Sequence, residues 1–253
     1  MTVTFLGTGT SQGVPLIGCR CPVCLSRNPK DKRLRSAIMI ESEGIRLVID
    51  SGPDFRQQML REKVSKITAL ILTHSHMDHI AGLDEVRAFN FIQKKYVDVY
   101  AEEFVQTVLK INFRYIFDGT DYPGLPKIKL HTIENKPFAI NGFGIIPVRV
   151  FHYKLPVLGF RVGDFTYITD ANYISDTELK KVMGSRIVVV NALRKRKHIS
   201  HFTLKQAINL LQKINPEKGY LTHISHQLGL HRDIEKELPS FIKPAFDRLK
   251  ISL

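Results

Sequence analysis

Residues 73–79 read Thr-His-Ser-His-Met-Asp-His, so His74, His76, His79 and the carboxylate of Asp78 fall within six consecutive positions. Neutral imidazole is the commonest protein ligand for zinc and its neighbours, and a carboxylate completes or bridges such a site. In a solvated loop without metal, that density would be coincidence. A second cluster, Cys19-x-Cys21-x2-Cys24, offers three thiols in a tight run. Thiolates at that spacing invite zinc, and a closed tetrahedral site needs a fourth ligand from elsewhere.

Other ligand-type residues follow strand-like runs one at a time. His152 follows Ile145–Phe151, Asp170 follows Phe165–Thr169 and His223 follows Gly219–Thr222. Each alone is weak, because a lone histidine near a strand end is more often a surface or hydrogen-bonded residue. The force lies in the repeated pattern of strand, ligand-type residue and loop. Strand ends gathered along one edge of a scaffold can place all of them around one site.

The elements that must position these residues are legible as apolar runs. Strands are expected at Val3–Leu6, Ile45–Ile49, Ala69–Thr73, Val97–Ala101, Lys127–Thr132, Phe143–Phe151, Leu158–Arg161, Phe165–Thr169, Ile187–Asn191 and Gly219–Thr222. Helices are expected over Glu102–Phe117, Asp176–Met183 and Thr203–Ile214. After the histidine run, Ile80–Asp84 reads as a turn leading into a helix. Many strands with fewer helices predict an α/β fold of two packed sheets with helices outside. No repeat or long linker interrupts the chain, so one domain over residues 1–253 is expected.

The 253 residues are 43% hydrophobic, enough for one substantial core. No basic-apolar leader opens the chain, and no apolar run approaches the length of a membrane span. A soluble, cytoplasmic protein without a membrane partner is therefore expected. Three cysteines, an odd number packed together, argue against a secreted disulfide framework. A net charge of +13 favours an anionic ligand, without separating nucleic acid from a small phosphate ester. The densest basic run is Arg194–Lys197, and most such runs are solvated faces.

At these residues the sequence resembles the metallo-β-lactamase superfamily, whose hallmark is a His-x-His-x-Asp-His run followed by a distal His, an Asp and a final His. The resemblance extends to one branch, the phosphoribosyl 1,2-cyclic phosphate phosphodiesterases of bacterial phosphonate breakdown. Ser11–Pro15 with Gly18–Cys24, Leu72–His79, His152–Leu155 and Leu221–Gln227 follow in that branch's order. It implies a single-domain αββα sandwich holding two adjacent divalent cations. His74, His76 and His152 would hold the first, Asp78, His79 and His223 the second, and Asp170 would bridge them. Zinc or manganese is expected, and mixed nitrogen and oxygen ligands also accept iron or nickel. Asp50 resembles the acid that orients a ligand histidine through a hydrogen bond. Equally, it reads as a turn-capping residue before Ser51-Gly52.

The same resemblance implies a structural zinc on Cys19, Cys21, Cys24 and His226, with His231 as the competing fourth ligand. In that branch the proton donor lies 22 residues before the final ligand, the interval from His201 to His223. His201 and Asp78 are therefore the expected catalytic residues, and His198 reads as part of the basic loop. The competing reading of His201 is helix capping or packing. Gly7–Gly13 offers backbone donors to a phosphate or simply makes tight bends. Lys154 meets a phosphate or solvent, and Asp84 with Arg87 pairs on a helix face.

The resulting reading is a dinuclear hydrolase that opens a small cyclic phosphodiester, of the 5-phosphoribosyl 1,2-cyclic phosphate or 2′,3′-cyclic nucleotide type. A metal-bridging hydroxide would attack phosphorus and His201 would protonate the departing oxygen. One rival is a tRNA 3′-processing endoribonuclease, favoured by the basic charge and opposed by the lack of a long insertion to grip tRNA. The other is a non-catalytic binding protein on the same fold, opposed by the complete set of ligand positions. The expected partners are a small phosphodiester, RNA as the competing ligand, and a second copy of the chain in a homodimer.

Overall fold

A computed structural model describes residues 1–119 and 122–253. In chain order the strands are β1 (Thr2–Gly7), β2 (Ala37–Ser42), β3 (Ile45–Ile49), β4 (Ala69–Ile71), β5 (Val97–Ala101), β6 (Ile128–Thr132), β7 (Phe138–Ile140), β8 (Phe143–His152), β9 (Leu155–Val162), β10 (Phe165–Tyr167), β11 (Tyr173–Ile174), β12 (Ile187–Asn191), β13 (Lys218–Thr222), β14 (Ile242–Pro244) and β15 (Lys250–Ser252). One sheet has the order β15-β1-β2-β3-β4-β5-β6. The other has β11-β8-β9-β10-β12-β13-β14, with β7 paired to β8.

Period-two patterning decides which face each residue takes. Val3 and Phe5 of β1, Ile38 and Ile40 of β2, and Leu47 and Ile49 of β3 point between the sheets. There they meet Leu158, Phe160, Phe165, Tyr167 and Val189 of the second sheet. The alternate residues Leu6, Met39, Val48 and Leu70 face outward, onto Phe55 and Met59 of helix Phe55–Arg61, Phe89, and Val105 and Leu109 of helix Glu103–Asn112. On the second sheet Val188, Val190 and Leu221 face outward, onto Leu179 and onto Leu204, Ala207 and Leu211 of helix Leu204–Ile214. Four layers result, helix–sheet–sheet–helix, as expected.

Strand direction brings the strand ends together. β3, β4, β5 and β6 are mutually parallel neighbours, as are β10, β12, β13 and β14. β8 and β10 are both antiparallel to β9 and so run the same way. The chain therefore leaves β3 at Asp50, β8 at His152, β10 toward Asp170 and β13 at His223, each at the same edge of its sheet.

Several elements differ from expectation. β2, β7, β11, β14 and β15 were not legible as separate runs; β11 is two residues long, and β14 and β15 are three-residue strands near the C-terminus. The helix expected over Glu102–Phe117 breaks at Phe113 (φ −117°, ψ 41°) into Glu103–Asn112 and Arg114–Phe117. The histidine run is itself helical over Met77–Ile80, where a loop was expected. Thr203 caps Leu204–Ile214 by a reciprocal box with Gln206, which fixes the approach of the chain two residues after His201.

Candidate metal centre

Asp50, Asp170 and His223 each turn the chain in the left-handed region, with φ of 68°, 50° and 53°. Non-glycine residues rarely adopt this conformation, which clusters where function demands it. The turn redirects each side chain at the moment the strand ends. The loop after Asp50 docks on the helix carrying Asp78 and His79. Ser51 N–H donates to His79 O (2.8 Å), and Gly82 N–H donates to Ser51 O (2.8 Å). A Cβ on Gly52 would lie 2.0 Å from the Asp78 carbonyl oxygen, so only glycine fits this approach.

All seven sequence-predicted ligands of the first centre converge. The ligand atoms of Asp78, His79, Asp170 and His223 lie within 4.8 Å of one another. His79 Nε2 is 3.2 Å from Asp78 Oδ2 and 3.1 Å from Asp170 Oδ2, and His223 Nδ1 is 3.1 Å from that same Asp170 oxygen. Beside them the rings of His74, His76 and His152 form a triangle with centroids 4.6, 5.0 and 6.1 Å apart. His152, Asp170 and His201 form another group of donors within 4.8 Å. Asp170 is common to both groups, the position a bridging carboxylate would take. His201, expected as a proton donor, thus also lies within ligand distance of the site, its Nδ1 3.9 Å from Asp170 Oδ1.

Hydrogen bonds fix which ring nitrogens face inward. Thr73 gives both its N–H and its hydroxyl to Asp50, leaving its oxygen to accept from His74 Nδ1 (2.9 Å). His79 Nδ1 donates to Asp50 Oδ2 (2.6 Å), and His152 Nδ1 donates to the Ser200 carbonyl (2.9 Å). In each case Nε2 is turned toward the cluster. His74 Nε2, His79 Nε2 and both nitrogens of His223 are buried without a hydrogen-bond partner. Buried polar atoms are almost always paired, so four orphan nitrogens facing two carboxylates fit a bound cation. Asp50 therefore orients a candidate ligand rather than merely capping a turn.

The protein's own charges reflect the same need. Burial disfavours charge on His79, yet Asp78, Asp170 and Asp50 override it and hold the imidazole well above its ordinary range. Burial, reinforced by His79, pushes His74 far down. Burial and His223 lower His201 to about 2. Burial opposes the Asp170 charge, but His223 and His79 keep it well below the usual carboxylate range. One positive charge is required between the carboxylates, and a divalent cation would release the proton that otherwise supplies it.

The cysteine cluster gathers at a second point. The donors of Cys19, Cys21, Cys24 and His226 lie within 4.8 Å of one another, with His226 Nδ1 3.3 Å from Cys19 Sγ and 3.4 Å from Cys21 Sγ. Burial raises the Cys21 thiol, but the Cys24 N–H and His226 outweigh it and bring it to about 6. Burial pushes Cys24 up to about 11. His231, the competing fourth ligand, sits elsewhere, accepting from Arg33 Nη2 at 3.2 Å and packing edge-on against Phe246. His223 and His226 flank Ile224, which is pinned between Thr8 and Thr10 by backbone hydrogen bonds of 2.9 and 3.2 Å.

Two clefts reach the centre. One, of about 520 Å³, is lined by His74, Glu102, Phe104, Arg149 and Phe151. The other, of about 220 Å³, is lined by residues 10–13, His198, His201 and His226. A cleft of about 800 Å³ lies at the opposite end of β2 and β3 from Asp50 and has no part in this chemistry. A Cβ on Gly7 or Gly9 would come within 1.9 or 2.8 Å of backbone oxygens, so both serve close packing. Asp84 pairs with Arg87 and Tyr115, and Lys154 lies over the Tyr153 ring. His131, which had no expected role, bonds Asp98 at 2.6 Å away from the centre. No helix among the described residues is long and apolar enough to cross a membrane.

Residues 45–224 match the family described as a beta-lactamase superfamily domain. A crystal structure described as a new diphosphatase from the PhnP family is 40% identical and superposes with a TM-score of 0.93 over 99% of this chain and 96% of that one. Zn²⁺-bound PqqB from Methylobacterium extorquens shares the fold at 19% identity, with a TM-score of 0.81 over the whole of both chains. An octanoyltransferase of Porphyromonas gingivalis is 37% identical over 253 residues; the alignment covers 99% of this chain but only 51% of that protein, so the chain spans about half its length. The chain belongs to the beta-lactamase superfamily and, within it, to the PhnP family.

Proposed function

We propose that the protein is a dinuclear metal-dependent hydrolase of a small cyclic phosphodiester. The observation that carries this reading is the position of Asp170 in both donor groups, between His79 and His223 on one side and His152 and His201 on the other. Divalent cations bound there would polarise phosphoryl oxygens and acidify the attacking water. His74, His76 and His152 would hold one cation, Asp78, His79 and His223 the other, with Asp170 between them. Zinc or manganese suits this donor set.

The chain's own residues do the rest. Asp50 and Thr73 keep His79 and His74 in the tautomers that present Nε2. A water oxygen bonds to phosphorus, the bond from phosphorus to the ring oxygen breaks, and the product is a phosphomonoester. His201, buried at the edge of the 220 Å³ cleft, gives its proton to the departing oxygen. The substrate's negative charge opposes the forces that hold the imidazole neutral. The cysteines and His226 would bind a structural zinc beside this centre.

A second reading, cleavage of a diphosphate, is favoured by the description of the 40% identical structure as a diphosphatase. The test is a panel of 2′,3′-cyclic nucleotides, 5-phosphoribosyl 1,2-cyclic phosphate, bis(p-nitrophenyl) phosphate, nucleoside diphosphates and a tRNA precursor. Turnover of the cyclic esters, lost on chelation and restored by zinc or manganese, is expected. Preference for diphosphates or for tRNA would replace the reading, and binding of a cyclic ester without turnover would make the protein a binder.

A further inference from the structure

Helix Glu103–Asn112 is apolar on both of its faces. Val105 and Leu109 pack inward, while Phe104 and Ile111 point outward and are 59% and 70% exposed, with Val108 half-buried between them. Positions 104, 108 and 111 share one side of a helix. A helix that is hydrophobic all round is normally buried all round. The fold's longest helix, Leu204–Ile214, shows the solvated pattern instead: its exposed residues are Lys205, Gln206, Asn209, Gln212 and Lys213. The apolar stripe also extends past the end of its own helix. Asn112 Nδ2 donates to Met77 Sδ at 3.7 Å, and both Met77 and the following Tyr115 are exposed. Contiguous apolar surface of this kind marks an interaction site. One flank of the stripe carries both signs of charge. Glu103 and Lys110, roughly two turns apart, lie on the same side of it. Neighbouring charges are engaged, Glu102 by Arg149 and Asp84 by Arg87. Among the described residues, neither Glu103 nor Lys110 has an ion-pair partner.

We propose that this stripe is where a second copy of the chain docks, the two helices Glu103–Asn112 packing antiparallel across a two-fold axis near Thr107 and Val108. A two-fold axis lays a patch onto itself with its direction reversed. Phe104 of each copy then meets Ile111 of the other. In an antiparallel pair each flank faces the same flank of the other helix, so Glu103 of each copy meets Lys110 of the other. Parallel packing would set Glu103 against Glu103 and Lys110 against Lys110, and like charges in contact are costly. The complement of this surface is therefore the surface itself, which selects a second copy over an unlike partner. The interface reaches the metal centre. Glu103 and Phe104 line the 520 Å³ cleft that touches His74, and Met77 stands between His76 and Asp78 in the chain. The second copy thus walls the mouth of that cleft, whichever ester the centre hydrolyses.

The test is sedimentation equilibrium of the metal-loaded full chain, with circular dichroism to show that each variant is folded. Glu103, Lys110 and Ile111 are all exposed in the single chain, so their replacement leaves its core intact. The unaltered protein is expected to dimerise at micromolar concentration. Ile111→Glu sets a carboxylate against Phe104 of the other copy and raises the dimer Kd about 100-fold or more. Glu103→Lys and Lys110→Glu, each alone, bring like charges together and weaken the dimer about tenfold. The double variant Glu103→Lys/Lys110→Glu exchanges the two signs and restores the parent Kd. That restoration is specific to the antiparallel register, because in an unrelated contact the two changes would simply add. A parent that stays monomeric, an Ile111→Glu variant that dimerises like the parent, or a double variant no tighter than the single ones would overturn the proposal. A monomer that binds phosphatidylglycerol vesicles through Ile111 would give the stripe to a membrane and overturn it equally.

Discussion

Asp50 accepts a 2.6 Å hydrogen bond from His79 Nδ1 while taking the N–H and hydroxyl of Thr73, so one carboxylate aims two histidines. Asp50→Ala removes that orientation and strands buried donors. Metal affinity or activity is expected to fall about 10- to 100-fold. Metal titration and turnover of a chromogenic diester measure both, and values unchanged from the parent would show that Asp50 only caps its turn.

His201→Ala should lower turnover by about 10²- to 10⁴-fold, the range for a positioned proton donor. Metal content, read by elemental analysis, should stay the same. Loss of a metal equivalent would reassign His201 from donor to ligand, a role its proximity to His152 and Asp170 also permits.

The cysteine site makes a stoichiometric prediction. A triple Cys19/Cys21/Cys24→Ser variant should lose one zinc per chain, and His226→Ala should weaken the same equivalent. His231→Ala should leave the zinc in place, because that ring is engaged by Arg33. A full metal complement in the triple variant would refute the site.

Gly52→Ala forces a methyl group into the Asp78 carbonyl, 2.0 Å away. The cost is expected at about 1–3 kcal/mol, typical of overpacking. Urea unfolding of chelated protein would measure it free of any metal contribution. Unchanged stability would mean that the 50–52 loop yields easily and does not set the position of Asp78.

His231 contributes one share of the pH dependence of stability, alongside the buried His74 and His201. Burial, with the charges of Arg33 and Lys30, lowers its pKa from 6.5 to about 4. Between those values the unfolded chain binds the proton and the folded one does not. Stability is therefore lost as pH falls from about 6.5 to about 4. His231→Gln should reduce the slope of the thermal-denaturation profile across that window, the other buried histidines supplying the remainder. A profile of the same slope would show that other groups govern it.

The seven residues that converge on the metal centre were legible because ligand chemistry restricts residue type and each follows a visible apolar run. The two packed sheets were legible from the many short apolar runs, such as Val3–Leu6 and Ile45–Ile49, set among fewer helical patterns. What was hidden depends on geometry that residue type does not carry. The three-residue strands at Ile242–Pro244 and Lys250–Ser252 are strands because neighbours pair with them. Gly52 resembled any turn glycine until the Asp78 carbonyl was seen against it. The choice between His226 and His231 turned on Arg33, distant in sequence and fully buried beside His231.

The backbone at Asp50, Asp170 and His223 has a consequence for anyone seeking a hardier variant. Glycine tolerates those dihedrals without steric penalty, whereas an L side chain costs roughly 1 kcal/mol at each. Replacements that toughen the fold most cheaply thus coincide with positions that cannot be surrendered, and selection for heat resistance alone would erode the chemistry first.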